Sequence, residues 1–153
     1  MKQLPHIKKS TGIIGYSESS IAKSERNDCF VRAVASAYEI SYDDAHKWVA
    51  DNFKRENRKG TMNVVDKMTS FSLGKELLNN KSVEVIQNLR HYDAEKLKMN
   101  KTTLNQFIKK YSTGTYIVIV KRHAFTLKNG YVIGNDEDSQ SIKKIVHNAY
   151  KIS

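Results

Sequence analysis

The segment with the most regular pattern runs from residue 115 to residue 136 and reads TYIVIVKRHAFTLKNGYVIGND. Its β-branched and aromatic residues lie on both sides of Asn129 and Gly130, and this dipeptide is the strongest short-range signal for a β-hairpin. If these two residues form the loop, Leu127 faces Val132 and the two strands continue in a fixed register. The chain is therefore expected to contain an antiparallel sheet in its C-terminal half.

The sequence before this segment favours helices. After Asp28, the stretch CFVRAVASAYE combines alanines with apolar residues on most sides, which predicts a buried helix. Ser41 is suited to be the N-cap of a second, amphipathic helix. We expect His46 to lie exposed on the polar side of that helix, opposite a stripe of core residues. The stripe comprises Tyr42, Ala45, Trp48, Val49 and Phe53.

Shorter patterns complete the fold class. Residues 62–78 fit a helical period only in part, so they predict a short helix followed by a loop. Residues 83–87 suggest a short strand, and Thr102 or Thr103 can cap a further helix. Residues 142–152 are expected to supply a closing strand. Helices first and strands later is the order of an α+β domain, with N-terminal helices packed on an antiparallel β-sheet.

Length and composition define the expected domain. The chain has 153 residues, of which 39% are hydrophobic and 27% are charged, as is typical of one globular domain. Residues 1–24 show no sustained period and predict an irregular N-terminal arm, which leaves residues 25–153 as the domain. No apolar run approaches the roughly 20 residues of a membrane span, and no secretory signal is visible. We expect a cytoplasmic protein without membrane contact, monomeric by default.

Cysteine and histidine usage argues against a metal site. Cys29 is the single cysteine, so it has no intramolecular disulfide partner and no second thiolate to share a zinc ion. The histidines lack metal-ligand spacing, and we expect neither a metal nor a cofactor. The five are His6, His46, His91, His123 and His147.

The positive charge has two interpretations. The 26 Lys and Arg residues outnumber the 16 Asp and Glu residues, so the net charge is +10. Nucleic acid, an anionic polymer or an acidic protein is then an electrostatically plausible partner. Because the lysines are scattered along the chain, a solvated basic surface is favoured over dedicated nucleic-acid binding.

Cys29 lies where the first predicted helix begins. The unpaired backbone N–H groups and the positive end of the helix dipole favour a thiolate at this position. The alternative is a small buried apolar residue, which free cysteines usually are. Position alone slightly favours the buried apolar role.

The hairpin register adds a second chemical group. Continued outward from Asn129 and Gly130, it places His123 opposite Asp136, where imidazole and carboxylate can form a hydrogen bond. Asn135 would point to the opposite face. A nucleophile at a helix start, a histidine and an orienting carboxylate are the parts of thiol acyl transfer. The alternative for His123 is a surface histidine paired with a nearby acid.

Three stretches of the sequence resemble parts of one known family. NDCFVRAVASAYEISYDDAHKWV resembles the opening of small papain-like cysteine peptidases, including members encoded by bacteriophages, in which the cysteine begins the central helix. TLNQFIKKYSTGTYIVIVKRHAFTLKNGYVIGNDEDS resembles their core sheet with its catalytic histidine, and SIKKIVHNAYKI resembles their last strand. The resemblance extends from about Ser24 to the end of the chain.

The resemblance implies a papain-like fold and a role for each residue. Cys29 would be the nucleophile, His123 the general base and acid, and Asp136 the orienting residue. Lys23, Ser24, Glu25 and Arg26 occupy the stretch where such enzymes place a glutamine, so Asn27 becomes the candidate oxyanion donor together with the backbone N–H of Cys29.

The function implied is a cysteine hydrolase that cleaves peptide or isopeptide amide bonds through an acyl-thioester. Its partner would be a protein or peptide substrate, in the host cytoplasm if the chain is phage-encoded. Alternatives are an amidase or transglutaminase on the same fold, and a basic binding module for nucleic acid or a host protein that has lost or altered its catalysis.

Overall fold

The computed structural model describes residues 6–7, 13–75, 78–88, 102–133 and 144–153. Helices precede most of the strands, and this confirms the predicted α+β class. No helix in the described ranges is long and apolar enough to cross a membrane. The elements in chain order are β1 (His6–Ile7), α1 (Ser20–Ser24), α2 (Cys29–Tyr38), α3 (Tyr42–Phe53), α4 (Val64–Ser70), a π-helical turn (Phe71–Lys75), β2 (Val83–Asn88), α5 (Leu104–Lys110), β3 (Thr115–Val120), β4 (His123–Lys128), β5 (Tyr131–Ile133) and β6 (Asn148–Ile152).

The strands form one six-stranded sheet in the order β1-β5-β4-β3-β6-β2. Neighbours are antiparallel except for β1, which runs parallel to β5. Asn129 and Gly130 both have positive φ, 49° and 82°, as a two-residue hairpin turn of type I′ requires. The predicted hairpin register is confirmed over its described pairs. These are Thr126–Ile133, Leu127–Val132 and Lys128–Tyr131.

The predicted helices form, and side-chain caps fix the starts of α3 and α5. Ser41 Oγ accepts a hydrogen bond from the backbone N–H of Asp44 at 3.1 Å. Thr103 and Gln106 form a reciprocal capping box at the start of α5. The short helix predicted within residues 62–78 is α4. The prediction of a loop after this helix is wrong for the first five residues, which continue from α4 as the π-helical turn.

The prediction of an irregular arm over residues 1–24 is wrong for its last part, where α1 forms. The Oγ atom of Ser19 accepts a hydrogen bond from the backbone N–H of Ala22 at 2.9 Å and caps this short helix. The same hydroxyl donates to Asp43 on α3. Ile13 is buried in the core, and the backbone of β1 pairs with β5. The described parts of this segment therefore pack on the rest of the domain.

Apolar clusters cover both faces of the sheet. Helices α2, α3 and α4 pack on one face, here called the α2 face, where Tyr42 and Tyr150 are fully buried. Helix α5 packs on the other, the α5 face, where Phe107 contacts strand residues such as Phe125. Trp48 packs against other aromatic rings of the α2 face, which confirms its predicted packing role.

Candidate active site

Three elements begin at the same end of the sheet. Strands β4 and β6 both run antiparallel to β3, so they share one direction. Helix α2 runs along β4 in that direction: the carbonyl of Ala33 accepts from Thr126 Oγ1 at 2.8 Å, and farther along, Glu39 accepts from Lys128 Nζ at 3.1 Å. The first residues of these elements therefore lie at one edge of the molecule. They are Cys29, His123 and Asn148.

A pocket of about 680 Å³ opens at this edge. Residues 60–66, from the loop before α4 and its first turn, form one wall, and residues 119–124 at the β3–β4 turn form another. Residues 147–148 at the start of β6 complete the lining together with the first turn of α2. Cys29 and His123, the two predicted catalytic residues within the described ranges, line this one pocket.

The start of α2 is held by Asp28. Its carboxylate is buried, accepts a hydrogen bond from the Tyr42 hydroxyl at 2.7 Å, and lies 3.2 Å from the Arg32 guanidinium. Burial, together with the hydrogen bond to Asp28, raises the pKa of Tyr42. With its carboxylate engaged inward, Asp28 does not cap α2 with its side chain. The half-buried Cys29 follows directly as the first helical residue.

His123 reaches the pocket from the first position of β4. It pairs with Val120, whose side chain is buried on the α5 face, and opposed residues share a face. In agreement, the imidazole lies nearly parallel to the Phe125 ring, with centroids 6.0 Å apart and planes at 28°. The described position of the ring is therefore on the α5 side of the strand end, whereas α2 and Cys29 lie on the other side.

The two remaining predicted site residues have different outcomes. Asp136 lies outside the described residues, so its pairing with His123 stays a prediction. Asn27 is exposed, has a φ of 54°, and donates from Nδ2 to the carbonyl oxygen of Arg58 at 3.1 Å. It is not among the described residues that line the pocket. The pocket thus unites two of the four predicted residues.

Sequence reasoning missed two polar residues of the pocket, His147 and Asn148. His147 is half-buried, and its pKa is lowered by burial and by the nearby charge of Lys121. Asn148 is 3% exposed and is the first residue of β6. A signal was present, because two consecutive polar residues stand within the predicted closing strand, in VHNAYKI.

A buried ionic cluster lies just before Cys29 in the chain. The Glu25 carboxylate accepts two hydrogen bonds from Arg55, at 2.8 and 3.0 Å, and one from the backbone N–H of Arg58 at 2.7 Å. His46 Nε2 lies 2.6 Å from the same carboxylate. The predicted exposure of His46 is therefore wrong: its side chain is 11% exposed because it completes this cluster.

The cluster ties the segment just before one wall of the pocket to the segment that leads into α2. Arg55 also donates to the carbonyl of Arg26 at 3.1 Å, so the chain around residues 55–58 is fixed against residues 25–27. Burial alone would raise the pKa of Glu25, but the hydrogen bonds from Arg55, His46 and Arg58 outweigh it and lower this pKa to about 2. Glu25 is therefore ionised at neutral pH and holds both segments together.

Among the described residues, no group of three or more His, Cys, Asp or Glu side chains is arranged to hold a metal ion. No protein-family model, curated protein or solved structure matches the chain. Any functional assignment therefore depends on the chemistry of the pocket.

Proposed function

We propose that the protein is a papain-like cysteine hydrolase that cleaves peptide or isopeptide amide bonds through an acyl-thioester. The observation that carries the proposal is the shared pocket. The single cysteine, at the start of a ten-residue helix, and the histidine at the first position of β4 both line it. The free N–H groups of a helix start favour a thiolate. An imidazole within hydrogen-bond reach of the thiol supplies the proton transfers that amide cleavage requires.

In the proposed reaction, the Cys29 thiolate attacks the carbonyl carbon of the substrate and His123 holds the thiol proton. Collapse of the tetrahedral intermediate breaks the C–N bond, and His123 gives its proton to the leaving amine. Water, deprotonated by the same imidazole, then hydrolyses the thioester and releases the acid. Asp136 is proposed to orient His123 from the neighbouring strand, as the register predicts.

This mechanism requires one movement of His123. The imidazole must come within about 3 Å of Sγ, or of one bridging water, for proton transfer. Its described position beside Phe125 is on the other side of the strand end. Because His123 is the first residue of its strand, the proposal requires its ring to move around the strand end toward Cys29.

The pocket offers a matched control, because His147 is a second half-buried histidine in its lining. The experiment is intact-mass labelling by iodoacetamide across pH, for wild type, His123→Ala, His147→Ala and Cys29→Ala. We expect rapid alkylation below neutral pH in wild type and His147→Ala, slow alkylation in His123→Ala, and none in Cys29→Ala. Asp136→Asn should also slow the alkylation of Cys29, as His123→Ala does.

Two results would contradict the proposal. Slow labelling that requires alkaline pH and ignores His123→Ala would mean that Cys29 is structural, and the basic binding module would then be the better interpretation. Loss of labelling in His147→Ala with no effect of His123→Ala would assign the role of the base to His147. Either result is read directly from the mass spectra, without knowledge of the substrate.

A further inference from the structure

Asn148 is the buried polar residue on the side of the pocket that faces α2. Ile119 pairs with Asn148 on β6 and with Ala124 on β4, so these three side chains share one face of the sheet. Ala124 belongs to the cluster under α2, which identifies that face as the α2 face. Asn148 therefore lies on the side of the sheet from which Cys29 enters the pocket.

Asn148 places a carboxamide in the buried lining of the pocket. Burying an amide in apolar surroundings costs free energy unless its N–H and C=O groups are hydrogen-bonded. Asn148 is 3% exposed, lines the pocket, and stands in a strand whose other residues are mostly buried. Its side chain has two N–H donors and one acceptor, so it can serve a ligand in addition to a protein partner.

The residue predicted for this purpose from the sequence is less well placed. Asn27 directs an N–H to the Arg58 carbonyl, lies exposed, and is not among the described lining residues. A donor on the solvent side would act in high dielectric, where one hydrogen bond stabilises a developing charge far less than it does in a closed pocket.

We propose that Asn148 Nδ2, together with the backbone N–H of Cys29, forms the oxyanion hole of the hydrolase. This inference rests on the proposed function and adds a catalytic residue to it. When the thiolate forms the C–S bond, the carbonyl π electrons move to oxygen, and Asn148 donates a hydrogen bond to that oxyanion. When the intermediate collapses, the electrons return to re-form C=O and the leaving group departs.

Two chemical probes separate this role from activation of the cysteine. Alkylation by iodoacetamide displaces iodide directly and forms no oxyanion. Acylation by p-nitrophenyl acetate passes through a tetrahedral oxyanion, forms a thioester on Cys29, and releases p-nitrophenolate, whose absorbance gives the rate. The ratio of the acylation rate to the alkylation rate therefore measures oxyanion stabilisation alone.

The variants are Asn148→Ala, Asn148→Leu and the matched control Asn27→Ala. Loss of one oxyanion donor is expected to lower the acylation rate by about 10²-fold, while the alkylation rate and its pH dependence stay as in wild type. Asn148→Leu keeps the side-chain size in an apolar strand, so it provides a folded variant if the cavity left by Ala destabilises the chain. Asn27→Ala should keep the wild-type ratio.

The outcomes distinguish this inference from the proposed function. A wild-type ratio in Asn148→Leu, or a lowered ratio in Asn27→Ala, overturns the role of Asn148 while the hydrolase stands. An equal drop of both rates in the Asn148 variants assigns that residue a structural role and also overturns it. Slow alkylation of wild type, unaffected by His123→Ala, refutes the hydrolase itself.

Discussion

We expect the Glu25 cluster to make the free energy of unfolding decrease as the pH becomes acidic. The Glu25 side chain is 2% exposed, and its carboxylate is bonded to Arg55, Arg58 and His46. Its pKa is about 2 in the folded chain and 4.5 ordinarily. Because the folded pKa is the lower one, this group stabilises the fold above the ordinary pKa, and the stability is lost as pH falls toward the folded pKa.

The size of the effect follows from the two pKa values. Their difference corresponds to at most about 3 kcal/mol of unfolding free energy at neutral pH, at about 1.4 kcal/mol for each tenfold change in proton affinity. Nearly all of this remains at about pH 5, and about 2 kcal/mol of it is gone by about pH 3. Glu25→Gln removes the titrating group and leaves the buried guanidinium of Arg55 without a counter-charge, a change that typically costs about 3–5 kcal/mol.

The assay is urea unfolding at several pH values, followed by the fluorescence of the one tryptophan, Trp48, which packs in the core. Wild type should exceed Glu25→Gln in unfolding free energy at neutral pH, and this difference should narrow by about 2 kcal/mol between about pH 5 and pH 3. The other carboxylates titrate in both proteins and cancel. Glu18→Gln, which removes an exposed carboxylate, is the control and should stay close to wild type. Parallel curves for wild type and Glu25→Gln across this range would refute the reasoning.

Three further substitutions test local contacts of the fold by the same urea assay. Thr103→Ala removes the capping box with Gln106 and should lower the unfolding free energy by about 1 kcal/mol; a wild-type value would mean that the cap carries no stability. Thr126→Val removes the 2.8 Å hydrogen bond to the Ala33 carbonyl and should cost about 1–2 kcal/mol, and an unchanged midpoint would deny that this bond fixes α2 to β4. Gly130→Ala places a Cβ at φ +82° and should cost about 1–2 kcal/mol by backbone strain, since no neighbour is closer than 3.6 Å; a stabilised variant would contradict the turn assignment.

The parts of the fold that the sequence predicts well are set by local chemistry. Asn129 and Gly130 both adopt positive φ, and these two residues alone determine the register of the hairpin. Ser41 and Thr103 cap the helices for which they were proposed, since a cap needs only the backbone N–H groups two or three residues farther on. Such signals act within a few residues and do not depend on the rest of the fold.

The errors come from contacts between distant parts of the chain. The helical period places His46 on the polar side of α3. Glu25, 21 positions earlier in the chain, contacts His46 there and also binds Arg55, so the cluster buries the imidazole ring. The sequence pattern contains no information on which distant charges will converge. Similarly, α1 forms where no period predicts it, because Ser19 caps it and reaches Asp43 on another helix.

The composition of the candidate site depends on the directions of the strands as well as on the positions of its residues in the sequence. Cys29 was expected at a helix start and His123 on a strand, and both expectations are met. The position of Asn148 beside them requires a further fact, that β6 inserts next to β3 and antiparallel to it, so that β6 and β4 begin at the same edge. A strand order with β6 at the sheet margin would have moved this residue away from the pocket.

Face alternation then places two polar residues of the pocket, His123 and Asn148, on opposite faces of the sheet. His123 and its pairing partner Val120 belong to the α5 face, whereas Asn148 shares the α2 face with Ile119 and Ala124. A substrate carbonyl attacked by Cys29 from the α2 side would have its oxygen near the carboxamide. Its leaving nitrogen would point toward the strand ends, where the proposal requires the His123 imidazole to act after its movement. This separation suits a reaction that must stabilise negative charge on oxygen and deliver a proton to nitrogen, because one group cannot do both at once. Substitution of His123 should therefore change the pH dependence of acylation, and substitution of Asn148 should change only its rate.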